Sequence, residues 1–173
     1  MNDDPEMEIR ELGPEDAAAW QSLRLEGLRE VPQAFLSSFE SEVTRELAVV
    51  AARFAENPVF GTFVGSNLVG TAGLYRSPYE KAAHSADLWG MYVQPAHQGQ
   101  GLGEALVKVV LERACATPGL LRVVLSVNTS QGSAQRLYER CGFEAWGVEP
   151  AAMVCEDEVL DQVHMVWWVP QEV

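Results

Sequence analysis

The stretch Val93-Gln94-Pro95-Ala96-His97-Gln98-Gly99-Gln100-Gly101-Leu102-Gly103-Glu104-Ala105-Leu106 decides how this chain is read. The run before it, Leu88-Trp89-Gly90-Met91-Tyr92-Val93, is apolar and aromatic and reads as a strand. After it, apolar residues recur at helical spacing from Leu102 to about Ala116. A glycine-rich turn therefore joins a strand to a helix N-terminus. Unpaired N–H groups and the positive end of the helix dipole converge there. Glycine lets a bulky anion approach the main chain, so the expected guest is a phosphate or pyrophosphate.

Two common nucleotide readings fail. A dinucleotide fold needs G-x-G-x-x-G early in a βαβ unit, with an acidic residue about twenty positions on. Here Gly99, Gly101 and Gly103 come late, and no suitable acidic strand end follows. A P-loop needs G-K-[ST], and Glu104 stands where its lysine would be.

Outward from the turn, the pattern predicts a single domain over residues 1–173. Met7 to Leu12 reads as a strand, and Pro14 opens a helix with Trp20, Leu23, Gly27 and Val31 at helical spacing. Val43 to Ala55 reads as a second helix. Val59 to Val64 and Leu68 to Tyr75 read as a hairpin around Gly65-Ser66-Asn67. His84 to Val93 follows as a long strand, in which Gly90 suggests a bulge. Leu120 to Val127 is a strand and Ser130 to Cys141 a helix capped by Gly142. Phe143 to Val148 and Val159 to Val169 are the last strands. The expected fold is α/β (α+β): a mixed, mostly antiparallel sheet of about seven strands flanked by about four helices. A crossover helix allows one parallel pair.

Composition narrows the partners. A net charge of −13 argues against nucleic acid and suits an amine-bearing substrate. No apolar run reaches the ~20 residues of a membrane helix. The segment Met1 to Glu6 is acidic and lacks a signal peptide's features, so a cytoplasmic location is expected. Cys115, Cys141 and Cys155 have no metal-ligand spacing. Cys115 and Cys141 fall in helical patterns and read as buried thiols, and no metal is expected.

A second segment carries the reading further. Gln98-x-x-Gly101-x-Gly103, preceded by Val-x-Pro, resembles the acyl-CoA-binding motif of the GCN5-related N-acetyltransferases, the GNAT superfamily. Ala134-Gln135-Arg136-Leu137-Tyr138-Glu139-Arg140-Cys141-Gly142-Phe143 resembles that family's Ala-x-x-Leu-Tyr-Glu-x-x-Gly-Phe. The resemblance covers most of the chain, with Trp20 to Phe39 similar to the paired helices that border the acceptor site. It implies a fold splayed at the cofactor site and acetyl-CoA as co-substrate. It also implies pyrophosphate contacts from the main chain of Gln98, Gly99, Gln100, Gly101, Leu102, Gly103 and Glu104.

Met91, Tyr92 and Val93 would pair their backbone with the pantetheine arm, and an amide there would polarise the thioester carbonyl. Tyr138 matches the tyrosine that meets the CoA sulfur and protonates the leaving thiolate. The family often carries an asparagine seven positions earlier. Gln131 stands there in this chain, Asn128 lies three residues before it, and either could contact CoA. Ser133 is a further contact or a helix cap.

An attacking amine must lose a proton, so a base is needed near the splay. Asp87 holds that place, with Glu80 and His84 as alternatives and His97 read as a surface residue. Acceptor contacts are expected from Phe35-Leu36-Ser37-Ser38-Phe39, from the loop around Tyr79, and from Trp146, Glu149 and His164. Val159 to Val169 could be an inner strand or a dimer edge, which leaves a homodimer open. The function implied is acetyl transfer to a primary amine, of a small molecule or a peptide, by direct attack in a ternary complex. The alternative is a non-catalytic acyl-CoA-binding module on the same fold.

Overall fold

The computed structural model describes residues 7–171, so the acidic segment Met1 to Glu6 lies outside it. Alternating and continuous apolar runs form seven strands: β1 (Met7–Glu11), β2 (Val59–Val64), β3 (Asn67–Arg76), β4 (Ser85–Val93), β5 (Arg122–Asn128), β6 (Glu144–Cys155) and β7 (Glu158–Trp168). They make one sheet in the order β1-β2-β3-β4-β5-β7-β6. Every pair is antiparallel except β4–β5, which the crossover helix renders parallel. β7 is thus an inner strand, between β5 and β6.

Among the described residues there are five α-helices: α1 (Ala17–Glu30), α2 (Phe39–Val43), α3 (Leu47–Glu56), α4 (Leu102–Cys115) and α5 (Gly132–Arg140). None is long and apolar enough to cross a membrane. Two apolar layers hold them to the sheet. On one face α4 buries Leu106, Val107, Val110 and Ala114 completely against Val69, Ala72 and Val123. Each of the leucine and valine side chains contributes roughly 1.5–3 kcal/mol on burial. On the other face α1 and α3 pack Trp20, Leu23, Val50 and Phe54 around Tyr92. The Trp20 indole N–H donates to the buried Thr71 hydroxyl at 3.0 Å, which satisfies both polar groups.

Three local expectations differ from what is found. The helix expected over Val43 to Ala55 is two helices, and the chain breaks at Thr44 to Glu46. The Arg45 carbonyl accepts from the Gln21 side chain at 2.7 Å, and Glu46 is extended. The strand expected to end at Val148 continues to Cys155. A bulge near Ala151 (φ 53) absorbs Pro150, Asp161 accepts the Ala151 N–H at 2.8 Å, and a tight turn at Glu156-Asp157 closes the hairpin. Cys115 is exposed rather than buried, because it ends α4 beyond the buried stripe; Cys141 is half-buried beneath α5.

The entry into α1 is fixed electrostatically. Buried Asp16 accepts two hydrogen bonds from Arg10, at 2.7 and 2.9 Å, and one from the Gly13 N–H at 2.8 Å. The Arg10 bonds outweigh burial and hold this carboxyl below the ordinary aspartate range. A depressed carboxyl contributes stability above its unfolded value and loses it as pH falls through the folded one. Asp16→Asn should therefore cost about 1–3 kcal/mol at neutral pH. In denaturant titrations the gap from the parent should close in acid, as the parent's Asp16 is itself protonated.

Candidate active site

A cleft opens where β4 and β5 part. They pair only through Ser85, Asp87 and the residue between, against Arg122, Val124 and the residue between. Beyond Asp87 no strand of the described residues covers that side of β4. On its other side, Thr71 pairs with Tyr92 and Gly73 with Trp89, so Gly90 and Met91 face one β3 residue. This is a one-residue bulge, which bends and twists a strand. Gly90 adopts φ +65, which a side chain would disfavour.

The cleft has a volume of about 850 Å³. Its walls include Met91, Tyr92, Val93, Gln98, Gly99, Gly101, Leu102, Gly103, Glu104, Asn128, Gln131, Ser133 and Tyr138. Gln100 is not on the wall; its side chain reaches the Ala96 carbonyl at 3.4 Å. Gly99 (φ 74) and Gly101 (φ 81) are left-handed, with nothing within 4 Å of a Cβ built on either. Gly103 is crowded instead, with Met91 at 3.1 Å and Leu137 at 3.2 Å from such an atom.

From Gly99 to Glu104 the N–H groups have no protein acceptor among the described residues outside α4 itself. The Gln98 N–H is occupied by the Pro95 carbonyl at 3.3 Å, and its side chain covers the Val93 carbonyl at 2.9 Å. Glu104 would oppose an anion here, but Lys108 at 2.7 Å and Arg140 at 3.6 Å pair with it and hold its carboxyl low.

Tyr138 is buried on the cleft wall, its ring edge-on to Phe143 at 5.9 Å. Burial pushes its phenol well above the ordinary tyrosine value, so it stays protonated at neutral pH. Asn128 is also buried; its Oδ1 accepts the Ser130 N–H at 2.9 Å, while its Nδ2 has no partner. Such an orphan amide suits a ligand carbonyl. Ser133 lies inside the first turn of α5 and is not its cap, a position Gln131 holds. The Tyr92 ring turns to the opposite face, where its hydroxyl donates to Glu26 at 3.1 Å. Only its backbone is free for the cleft's ligand.

The acetyltransferase (GNAT) family model matches residues 25–143, which span the bulge, the glycine turn and Tyr138. The chain belongs to the GNAT family. An aminoglycoside N(6')-acetyltransferase type 1 of Stenotrophomonas maltophilia is 30% identical over 79% of this chain and 85% of its own length. A mycothiol acetyltransferase of Kocuria rhizophila is 38% identical over 36% of this chain. The match covers only 20% of that relative's length. The structure of yncA from Salmonella typhimurium, with acetyl-CoA as its cofactor, has the same fold. It superposes with a TM-score of 0.81 at 22% identity, over 97% of this chain and 96% of that one.

Within this GNAT fold a second chamber of about 410 Å³ adjoins the cleft on the α1 side. Arg24, Ser37, Asp87 and Trp89 line both and mark their junction. Phe35, Leu36 and Ser37 reach the cleft, as expected of the connector. Ser38 instead caps α2 by accepting the Ser41 N–H at 3.2 Å, and Phe39 lies under the Arg29 guanidinium at 3.9 Å. Tyr79, Glu80, His84, Trp146, Glu149 and His164 are on neither wall. Tyr79 points outward, 76% exposed. Trp146 stacks on His164 at 5.3 Å, and His164 meets Glu149 at 2.7 Å, all on the β6–β7 hairpin. His97 does line the cleft. Among the described residues no group of three His, Cys, Asp or Glu is placed to hold a metal ion.

Asp87 stands at the junction and stays within reach of solvent. Loss of hydration between the walls raises its carboxyl above the ordinary range, against the pull of Arg122. A raised carboxyl adds stability below its unfolded value and loses it as pH rises through the folded one. At neutral pH Asp87→Asn should therefore leave the melting temperature unchanged or raised. A clear drop in thermal melts would mark Asp87 as a structural residue.

Proposed function

We propose that this chain, acting as one catalytic domain, transfers the acetyl group of acetyl-CoA to a primary amine by direct attack in a ternary complex. One observation carries the reading. A single cleft holds the free N–H groups of the glycine turn, the uncovered edge of β4 beyond its bulge, and Tyr138.

Main-chain donors bind a pyrophosphate without side-chain charge. The pantetheine arm would lie along β4, in the place β5 vacates, with the Asn128 amide donating to one of its carbonyls. The amine nitrogen attacks the thioester carbonyl carbon, and the charge that develops on oxygen is met by a β4 N–H. A preorganised donor of this kind is worth roughly 3–4 kcal/mol. The carbon–sulfur bond then breaks. Tyr138 donates its proton to the departing thiolate and recovers one from the acceptor nitrogen through solvent. Asp87 takes the proton that turns the ammonium into an amine. Cys141 takes no part, since loss of hydration raises its thiol and keeps it protonated.

Acetyl-CoA should raise the melting temperature by mass action, and CoA should be released in the presence of an amine. Tyr138→Phe should lower kcat by about 10²–10⁴-fold, with little change in acetyl-CoA binding by calorimetry. Gly101→Ala should do the reverse and weaken binding, since αL strain costs about 1–3 kcal/mol. With Asp87 as the base, kcat/KM should rise with pH through its raised value, and Asp87→Asn should flatten that limb of the profile. Unchanged kcat in Tyr138→Phe would remove the tyrosine from the mechanism.

A further inference from the structure

Among the described residues, Arg24 is a buried cation that no carboxylate pairs with directly. Its side chain is on the sheet-facing side of α1, and the residue is only 6% exposed. Its Nε and Nη1 meet no hydrogen-bond acceptor among the described residues. The Phe35 ring at 4.5 Å and the Trp89 ring at 6.0 Å hold the guanidinium in place. Aromatic faces attract its charge but do not satisfy in-plane N–H donors.

The surrounding acids do not complete the site. Glu42 is engaged by Arg45 at 3.1 Å and Arg53 at 3.8 Å. Glu56 is exposed at the wall of the same chamber, and Asp87 stands at the junction. Arg24 and Asp87 thus present opposite charges to one small space that opens on the cleft. Arg24 also lies beside the chemistry: its Nη1 is 3.9 Å from a Cβ built on Gly90, the bulge residue.

The Arg24 Nη2, which no hydrogen bond among the described residues engages, forms a planar fork with either Nε or Nη1, and such a fork matches a carboxylate held by two parallel bonds. We propose that Arg24 binds a carboxylate of the acceptor, next to the amine to be acetylated, so that the substrate is a small amino acid. This rests on the transferase reading above. The balance of the step is unchanged: the ammonium form of the amino acid and acetyl-CoA give the N-acetyl amino acid, CoA thiol and one proton. A polyamine, an aminoglycoside or a peptide with a neutral first residue would leave the guanidinium buried and unpaired, which is how such sites reject analogues.

The test pairs each common L-amino acid with its carboxamide, and with a dipeptide that it begins. Each is titrated calorimetrically into the CoA-loaded protein and assayed with acetyl-CoA for CoA release. At least one free amino acid should bind, with its carboxamide weaker by roughly 100-fold. Arg24→Met should abolish that preference and spare acetyl-CoA binding. Its melting temperature should hold or rise, because methionine keeps an apolar contact with the two rings and no protein hydrogen bond is lost. Preferred binding of the acid without turnover would keep Arg24 as a carboxylate site and overturn the transferase reading. Equal use of acids and carboxamides, preference for dipeptides, or an unaltered preference in Arg24→Met would overturn the inference. So would the absence of binding and turnover across the whole panel.

Discussion

The parting of β4 from β5 is the constraint on which the rest depends. Three residues of parallel pairing hold the strands together, and then the Gly90 bulge turns β4 away. A strand edge inside a sheet is normally paired, because its N–H and C=O groups are costly to leave unsatisfied. Here the gap is kept open from both sides. β5 is held along its whole length by β7, from Arg122 to Asn128, and β4 by β3 and the α1 layer. The sheet cannot close over the gap without giving up one of those ladders. A ligand with amide groups of its own is the natural partner for such an edge.

The charge pattern around the gap explains how an acidic chain can take an anionic ligand. Its net charge is −13, and Lys108 and Arg140, beside the glycine turn, are paired with Glu104. The attraction would come from oriented peptide dipoles, which act at short range. Glu104, the one carboxylate in the first turn of α4, is neutralised by Lys108 and Arg140. On the far side of the bulge the logic reverses. There Arg24 is a full charge held away from water, which makes that end selective for what it meets.

Much of this could be read in the chain. Gly99, Gly101 and Gly103 announced the turn because their spacing straddles a strand end and a helix start. Gly90 announced the bulge because glycine is out of place within a strand. Tyr138 lies in a motif whose periodicity fixes its face. What escaped notice was long-range. Whether Asn128 or Gln131 faced the cofactor could not be told from spacing, and both line the cleft. Trp146, Glu149 and His164, expected near the acceptor, are on neither wall, and β6, which carries the first two, runs past the expected end at Val148 to Cys155. Arg24 carries a signal of its own in the sequence. It stands four residues after Trp20 and three before Gly27, on the buried stripe of α1, where a charged residue needs a reason.

In the proposed complex the free N–H groups of the glycine turn hold the pyrophosphate of CoA. Backbone amide resonances of the labelled protein, followed during a CoA titration, test it residue by residue. The account expects the largest shifts at Gly99, Gly101, Leu102, Gly103 and Glu104, moving together at one affinity and largely lost in Gly101→Ala. Saturable CoA binding that leaves these amides unmoved would contradict it.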